Sequence, residues 1–544
     1  MLLHLIRQFH WLMLAAVVAS IAGGLCSVLL VAQINAALTA DAAARLDLAW
    51  RFAAIAVAVM LSRTLASMLF ERLGQATLAE LRRFIVGRAM DADYYRLEKL
   101  GGARVHSALS EHSTNVAQFF VSLPGLLTNV VIVFGGLVYM ALLSWQVFLI
   151  AVAVIGLGSV GYHLVHLRAI RHLNAASVEQ DRLFGHFRAL TDGAKELRLH
   201  RRKRDVFVSG ELGTSIDLVR RARTRGMSLF VASTSWSQCL IYAFIGLVLF
   251  VLVGSGPDSA RVMTGFALML VYLVTPLQAL LVNIPRANLA FASAHRIDEI
   301  TRELPSPAQG STAASPTRLE TLELRGVKHR YYHEQSDDFF ELGPLDFVFT
   351  PGEVTFLVGG NGSGKTTLAK LLVGLYTPEE GEIWLDGERI EACDRDAYRQ
   401  LFSVVFSDFH LFERLLEAHR TDLDEEGNRL LAKLHLQHKV RVEEGAFTTQ
   451  ALSQGQRKRL ALVVAYLEDR PFLVFDEWAA DQDPLFKDVF YREVLPELRT
   501  MGKAVLVISH DDRYFPLADR LLRLESGKVI ADSVSSGDAA CCPA

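Results

Sequence analysis

Cysteine is scarce, with five in 544 residues, no repeated metal-ligand spacing, and two of the five, Cys26 and Cys239, inside apolar runs. That argues against a disulfide framework and a zinc module. The adjacent Cys541 and Cys542 sit in the terminal tail and read as a dispensable end rather than a redox pair. Excess charge is missing too. Fifty-six Lys and Arg stand against 59 Asp and Glu, a net charge of -3 at pH 7, so the balance calls neither for nucleic acid nor for a strongly acidic ligand. The most telling absence is local: between Ser113 and Leu167 there is no Asp, Glu, Lys or Arg. So long a stretch without an ionised side chain does not belong on the surface of a water-soluble domain.

What is there instead is a set of six apolar runs, near residues 11–34, 52–72, 121–143, 146–166, 228–254 and 262–284. Each is about twenty residues or longer and can cross a bilayer as a helix. Arg7 ahead of the first run has the look of a signal peptide. That run exceeds the roughly 7–15 apolar residues of such segments and more spans follow, so it reads as an uncleaved helix. The third and fourth runs form a hairpin turning near residues 144–146. The two long connections, 73–120 and 167–227, are rich in basic residues, among them Arg82, Arg83 and the cluster Arg201, Arg202, Lys203, Arg204. The positive-inside tendency puts both connections, and both termini, in the cytoplasm. The cluster has the composition of a lipid or nucleic-acid patch but reads as a solvated cytoplasmic face. Pro124, Pro276 and Pro285 lie in or beside spans, as kinks or as gating hinges.

Residues 303–317 lack hydrophobic periodicity and carry three prolines, as a flexible connection would. The expected organisation is a transmembrane domain over 1–300, a linker over 301–318 and a second domain over 319–544, where short β-like runs alternate with helical patterns. In that second part Gly359-Gly360-Asn361-Gly362-Ser363-Gly364-Lys365-Thr366 matches G-x-x-x-x-G-K-[ST] between an apolar strand, 354–358, and a helical run opening at Thr367. There the glycines let backbone N–H groups close around phosphates at a helix N-terminus. Lys365 neutralises the β- and γ-phosphates, and the Thr366 hydroxyl suits Mg²⁺, which prefers oxygen ligands. The apolar strand 472–475 ends in Asp476-Glu477. The first carboxylate is placed to hold Mg²⁺ through water and the second to orient the attacking water as a general base. A further apolar strand, 505–508, leads through Ser509 to His510, within reach of the γ-phosphate.

Just before the second of these strands, Leu452-Ser453-Gln454-Gly455-Gln456 resembles the ABC signature, with Gln454 where the family usually has glycine. With Lys365, Asp476, Glu477 and His510 in this order, residues 320–530 resemble an ABC ATPase. The runs 476–484 and 509–515, and more loosely the segment 193–199, are similar to the bacterial cyclic-peptide and siderophore exporters of the pyoverdine type. The resemblance implies a polytopic α-helical membrane domain of six transmembrane helices, of ABC exporter type, fused to an α/β P-loop ABC ATPase domain. It also implies ATP as substrate with Mg²⁺, and two ATPase domains set head to tail, so that Ser453, Gln454, Gly455 and Gln456 of one subunit complete the site begun by Lys365 of the other. Tyr331 stands where a ring stacks on adenine, with Tyr332 as a neighbouring candidate. Asp483 matches the aspartate that crosses the dimer interface, and the segment 193–199 would dock on an ATPase domain.

The chain departs from the family where a glutamine usually serves Mg²⁺ and the attacking water. Ser407 stands there, so either Ser407 or Asp408 compensates, or hydrolysis is slowed or coupled differently. The span from Ser407 to Ser453 is short, as for a trimmed helical subdomain, and leader cleavage is not expected because no peptidase-like domain precedes the first span. Arg63, the lone charge well inside the second span, is set to attract an anionic siderophore precursor, to pair with a neighbouring helix, or to snorkel. The expected function is ATP-driven export of a peptide or peptide siderophore across the bacterial inner membrane. Its expected partners are a second copy of the chain, the cargo and the lipid bilayer, with no nucleic acid. A lipid or drug exporter and a non-transporting ATP-gated regulator are the alternatives.

Overall fold

Each of the six apolar runs, as far as it is described, lies on one long helix: α1 (His10–Leu38), α2 (Arg45–Asp91), α3 (Ser113–Leu143), α4 (Trp145–Asp192), α5 (Gly213–Leu247) and α6 (Ser259–Glu303). This computed structural model describes residues 9–38, 45–248, 250, 259–304, 318–333, 338–416 and 422–534, so Cys541 and Cys542 lie outside the described residues. Five candidate spans long and apolar enough to cross a membrane are found among the described residues; the fourth run is carried by the 48-residue α4. At 1.5 Å per residue a helix of that length extends about 70 Å, more than twice a ~30 Å hydrocarbon core. Outward faces keep large apolar side chains in the open, such as Val18, Leu25 and Leu29 on α1, Met60, Leu61 and Leu65 on α2, and Phe134, Val138 and Leu142 on α3. In water such faces are aggregation liabilities; in lipid they are matched to their solvent.

Large side chains such as Ile132, Met140, Phe244, Phe266 and Met269 make one buried cluster among these helices, while α1 contributes mainly small residues. The buried face of α1 runs Ala16, Ala19, Ser20, Gly23, Gly24, Ser27, Val28 and Val31, the small-residue spacing that lets membrane helices approach closely. A methyl on Gly24 would meet Val131 Cβ at 2.7 Å and the Thr128 carbonyl oxygen at 3.0 Å, so α1 lies against α3 at a distance only glycine allows. Pro124 is buried within α3, which continues through it.

The chain divides into two units, Met1–Val86 with Val105–Ile300 and Gly87–Arg104 with Thr301–Ala544. Gly87–Arg104, in the connection between α2 and α3, packs with the second unit. That unit holds, among the described residues, one two-stranded hairpin and two larger sheets. One is antiparallel, in the order β2 (Asp338–Phe349), β1 (Leu322–His333), β4 (Glu380–Leu385), β5 (Glu388–Arg389). The other runs β12 (Lys528–Val534), β11 (Arg520–Glu525), β3 (Val354–Val358), β10 (Ala504–Ile508), β9 (Phe472–Asp476), β6 (Phe402–Val405). All its pairings are parallel except β11 with β12. Strands β3, β9 and β10 are buried at every residue, as the apolar runs of a parallel sheet covered on both faces should be. Between β6 and the helix α8 (Gln454–Glu468) the described residues hold a single helix, Leu423–Lys433, and the short hairpin Val442–Glu443 with Ala446–Phe447.

Candidate nucleotide site

Ligands of open α/β sheets bind beyond the carboxyl ends of the strands, and there the parallel sheet gathers four of the sequence signals. The phosphate loop follows β3, Asp476 closes β9, Glu477 comes next, Ser509 and His510 follow β10, and Ser407 with Asp408 turns off β6. The register Val405 opposite Phe475 and Ile508 opposite Asp476 brings these ends level. Gly359, Gly362 and Gly364 have φ of 157°, 76° and 100°, and a Cβ on Gly359 would lie 2.1 Å from the Leu524 carbonyl oxygen. Glycine is required at that turn. It opens on α7 (Lys365–Leu372), whose first turn carries Lys365, Thr366 and Thr367. Lys365 is buried, and its Nζ lies 3.0 and 2.9 Å from the carbonyl oxygens of Gly359 and Gly360. Burial pushes its pKa below the ordinary lysine value, with the Glu477 and Asp476 carboxylates opposing. A cleft of about 770 Å³ runs beside the loop, lined by Phe340, Gly359, Gly360, Asn361, Gly362, Ser363, His510 and Arg523 among others.

Thr366 Oγ1 donates to Asp476 Oδ2 at 3.0 Å, while the buried Asp476 Oδ1 has no partner. Burial raises the Asp476 pKa, the Thr366 bond and Lys365 lower it, and Glu477 and Asp408 raise it further. A buried carboxylate with one free oxygen beside a threonine hydroxyl and more carboxylates fits a hard divalent cation such as Mg²⁺. Glu477 stands in the left-handed region, φ 52°, a strained conformation that persists only when its surroundings hold it. Its N–H donates to the Ile508 carbonyl at 3.1 Å, its carbonyl accepts from Lys458 Nζ at 2.8 Å, and its Oε1 lies 3.1 Å from His510 Nε2. Lys458, buried on α8 and also paired with Asp481 at 2.7 Å, had no motif to announce it. Ser407 and Asp408 are exposed at the turn after β6.

The signature residues do not line this cleft. Ser453 caps α8 in a reciprocal box, its Oγ accepting from Gln456 N and its own N–H donating to Gln456 Oε1. Gln454 Nε2 donates to Asp481 Oδ2 at 3.1 Å. A Cβ on Gly455 would meet the Asp481 carbonyl oxygen at 2.9 Å. The start of a 15-residue helix, with free N–H groups and the positive end of its dipole, is thereby presented on the surface. Asp483 caps the next helix by accepting from Phe486 N at 3.1 Å. Tyr331 and Tyr332 are on β1, Tyr331 opposite Phe340 of β2, but their side chains lie outside the described residues. Phe340, missed in the sequence, lines the cleft itself.

A second cluster ties the segment Gly87–Arg104 to the nucleotide helix. Asp93 caps the short helix Tyr94–Leu100. Glu98 accepts from Lys370 Nζ of α7 at 2.8 Å and from the Tyr376 hydroxyl, and Asp93 accepts from Thr377 at 3.1 Å. Burial alone would raise the Glu98 pKa, but the bonds from Lys370 and Tyr376 outweigh it and hold the carboxyl below its usual range. Tyr95, Tyr376 and His329 form an aromatic trio with ring centroids 5.2 to 5.7 Å apart. His329 is buried, with neither ring nitrogen partnered.

Burial pushes the His329 imidazole below the usual histidine range, and the Glu379 and Asp93 carboxylates and the Thr377 backbone oppose it only in part. The neutral ring therefore supports this packing fully above about pH 6.5, and the support declines as pH falls from there toward the lowered pKa of the folded state. Amide exchange of residues 94–100, corrected for its intrinsic pH dependence, should quicken between pH 7 and 5.5. In His329→Phe it should not; an equal quickening in that variant would remove His329 as the cause.

The fold and the site together define an ATP-binding domain of the ABC type joined to a multi-helix membrane domain. Residues 342–480 match the ABC transporter family. The chain is 34% identical over 536 residues to the ATP-binding protein SyrD of Pseudomonas syringae pv. syringae, covering 96% of this chain and 94% of that protein. It is 26% identical over 424 residues to the ATP-dependent lipid A-core flippase of Bordetella pertussis strain Tohama I, covering 74% of this chain and 65% of that one. The solved structure of a bacterial Atm1-family ABC exporter with ATP bound shares the fold with a TM-score of 0.73 at 16% identity, over 97% of this chain and 95% of that chain. The chain belongs to the ABC transporters. It is a multi-pass membrane transporter with the ABC-exporter fold, whose ATP hydrolysis is coupled to transport.

Proposed function

We propose that two copies of this chain form an exporter that moves peptides or peptide siderophores outward across the bacterial inner membrane. The observation that carries the reading is full-length similarity to an ABC transporter together with a half-site: the phosphate loop, Asp476, Glu477 and His510 on one sheet edge, and the signature residues outside the cleft beside the loop. Two copies set head to tail bring the N-terminus of α8, with Ser453, Gln454, Gly455 and Gln456, onto the γ-phosphate held by Gly359–Thr367 of the other, and Asp483 to their interface. Tyr331, with Phe340 beside it, takes the adenine.

In this reading Lys365 neutralises the phosphates and Glu477 accepts a proton from the attacking water while His510 holds its carboxylate. Thr366 and Asp476 would hold Mg²⁺, which supplies charge neutralisation between the β- and γ-phosphates when bound. Ser407, shorter than glutamine, leaves Asp408 to complete the polar edge opposite Asp476. ATP favours the closed pair and shifts the membrane helices only as far as its affinity for the two states differs. The cytoplasmic connections, including 193–199, carry that shift.

Inverted membrane vesicles containing the protein provide the test. ATP-dependent uptake of cyclic or acylated peptides, absent without ATP, is the expected result. Hydrolysis accompanied by lipid movement alone, or by no uptake of any peptide offered, would sink the peptide reading.

A further inference from the structure

Arg63 is the only Lys, Arg, Asp or Glu inside the six apolar runs other than Glu71 and Arg72 at the end of the second. Counted at 1.5 Å per residue from the start of its run, it lies about 16 Å in, close to mid-depth of a ~30 Å hydrocarbon core. From there its stem falls short of either headgroup region, so snorkelling does not relieve it. An uncompensated arginine at that depth is strongly disfavoured, and such residues mark partners or pathways. Among the described residues no carboxylate lies within ion-pair distance of it. Glu71 is eight residues on, about 12 Å of helix rise away, and accepts from Gln75.

The guanidinium is nonetheless held in place. Its Nη2 donates to Ser27 Oγ of α1 at 3.0 Å and to the Tyr272 hydroxyl of α6 at 3.2 Å. Ser27 donates onward to the Gly23 carbonyl at 2.6 Å. Gly23 also makes room for the arginine stem, since a methyl there would meet Arg63 Cγ at 3.3 Å. Three helices thus steady the cation with two neutral hydroxyls, neither of which cancels its charge. The side chain is exposed, and its Nη1 and Nε groups have no acceptor among the described residues. Both two-donor edges of the guanidinium, Nε–Nη2 and Nη1–Nη2, include the engaged Nη2. The open donors are therefore the separate N–H groups of Nη1 and Nε. Either can give a charge-assisted hydrogen bond to a carboxylate oxygen, and the cation's charge favours the anion over a neutral amide.

We propose that Arg63, steadied by Ser27 and Tyr272, binds a carboxylate of the cargo within the membrane unit, so that the exporter prefers amphipathic peptides with a free carboxylate over their carboxamides. This rests on the peptide-export reading. Hydrogen bonds to a charged partner are strong enough to set a preference of about tenfold or more.

The test pairs an acylated peptide ending in a carboxylate with its carboxamide, taken up by inverted vesicles of phosphatidylcholine with and without phosphatidylglycerol. Wild type should show about a tenfold lower KM for the carboxylate in both membranes. Arg63→Lys should keep most of that preference and Arg63→Gln should lose it. A preference intact in Arg63→Gln, or one seen only with phosphatidylglycerol present, overturns the proposal, the second pointing to a lipid headgroup instead. Fluorescence-anisotropy binding of the same two peptides to purified protein separates the two readings. Carboxylate-selective binding that Arg63→Gln abolishes, in protein that takes up neither peptide, supports the anion site and removes peptide export. Uptake with no carboxylate preference in wild type removes the site and leaves export standing, and neither uptake nor selective binding removes both.

Discussion

Purified into lipid, the Glu477→Gln variant should hydrolyse ATP at least about a hundredfold more slowly than wild type while binding ATP with similar affinity. A positioned general base contributes roughly 10² to 10⁴ in rate, and the amide has the same size as the carboxylate but no basic oxygen. The main chain around it does not depend on the charge. Its N–H is held by the Ile508 carbonyl, its carbonyl by Lys458, and the left-handed φ of 52° is imposed by those bonds. The side-chain amide still meets His510, 3.1 Å away in the parent. Nucleotide affinity rests on the glycine turn and Lys365, which the change leaves alone. Phosphate release and binding of a fluorescent ATP analogue, measured on one preparation, separate the two effects. A loss below about tenfold would take the base role from Glu477 and move attention to Asp408, the neighbouring carboxylate that raises the Asp476 pKa. Equal loss of binding and turnover would mean that the strained loop had collapsed.

The nucleotide half of this site was legible because its signals are local. A strand, a glycine turn and a helix N-terminus are contiguous in sequence, so Gly359–Thr367 declares its conformation without knowledge of the rest of the fold. Asp476 and His510 follow apolar strands, and the parallel sheet then brings their ends level by a rule that does not depend on detail. The six apolar runs were legible for a similar reason, since helices in lipid must satisfy their backbone bonds internally. Lys458 shows where such reading stops. Between Arg457 and Arg459 it looks like one more solvated cation, and only the fold buries it under the Glu477 carbonyl. Phe340 is one of many aromatics until β1 and β2 pair. The segment Gly87–Arg104 reads as part of the membrane domain because it lies between two spans. Its assignment to the ATPase unit depends on Tyr94, Tyr95 and Glu98 finding Tyr376, His329 and Lys370, more than two hundred residues away in sequence, and no period or spacing encodes such a meeting. Ser407 was recognised as a departure, but its consequence depends on Asp408 and Asp476, which strand register brings to the same edge.

The largest loss of transport without loss of hydrolysis should come from Glu98. Lys370 lies on the eight-residue helix that opens with Lys365 and Thr366, so any movement of the phosphate loop on closing around ATP moves its ammonium group. Glu98, on the connection between α2 and α3, takes that ammonium at 2.8 Å and the Tyr376 hydroxyl as well. With Lys370 only 12% exposed and Glu98 42% exposed, the pair is shielded on one side, and a coupling of about 1 to 2 kcal/mol is reasonable where an open surface pair gives less. At 1.4 kcal/mol per factor of ten, its removal should reduce ATP-driven uptake into inverted vesicles by about tenfold. Glu98→Gln should do this with hydrolysis within about twofold of wild type, because no atom of Glu98 lies in the cleft beside the phosphate loop. The charge-exchanged pair, Glu98→Lys with Lys370→Glu, should recover most of the uptake. A variant that lost hydrolysis and uptake in proportion would show that the contact supports the nucleotide domain itself. Uptake unchanged in Glu98→Gln would show that the shift travels through the aromatic trio around His329, whose packing has no charge to lose at neutral pH, and lowering the pH toward 5.5 in that variant would then reduce uptake while leaving ATP bound.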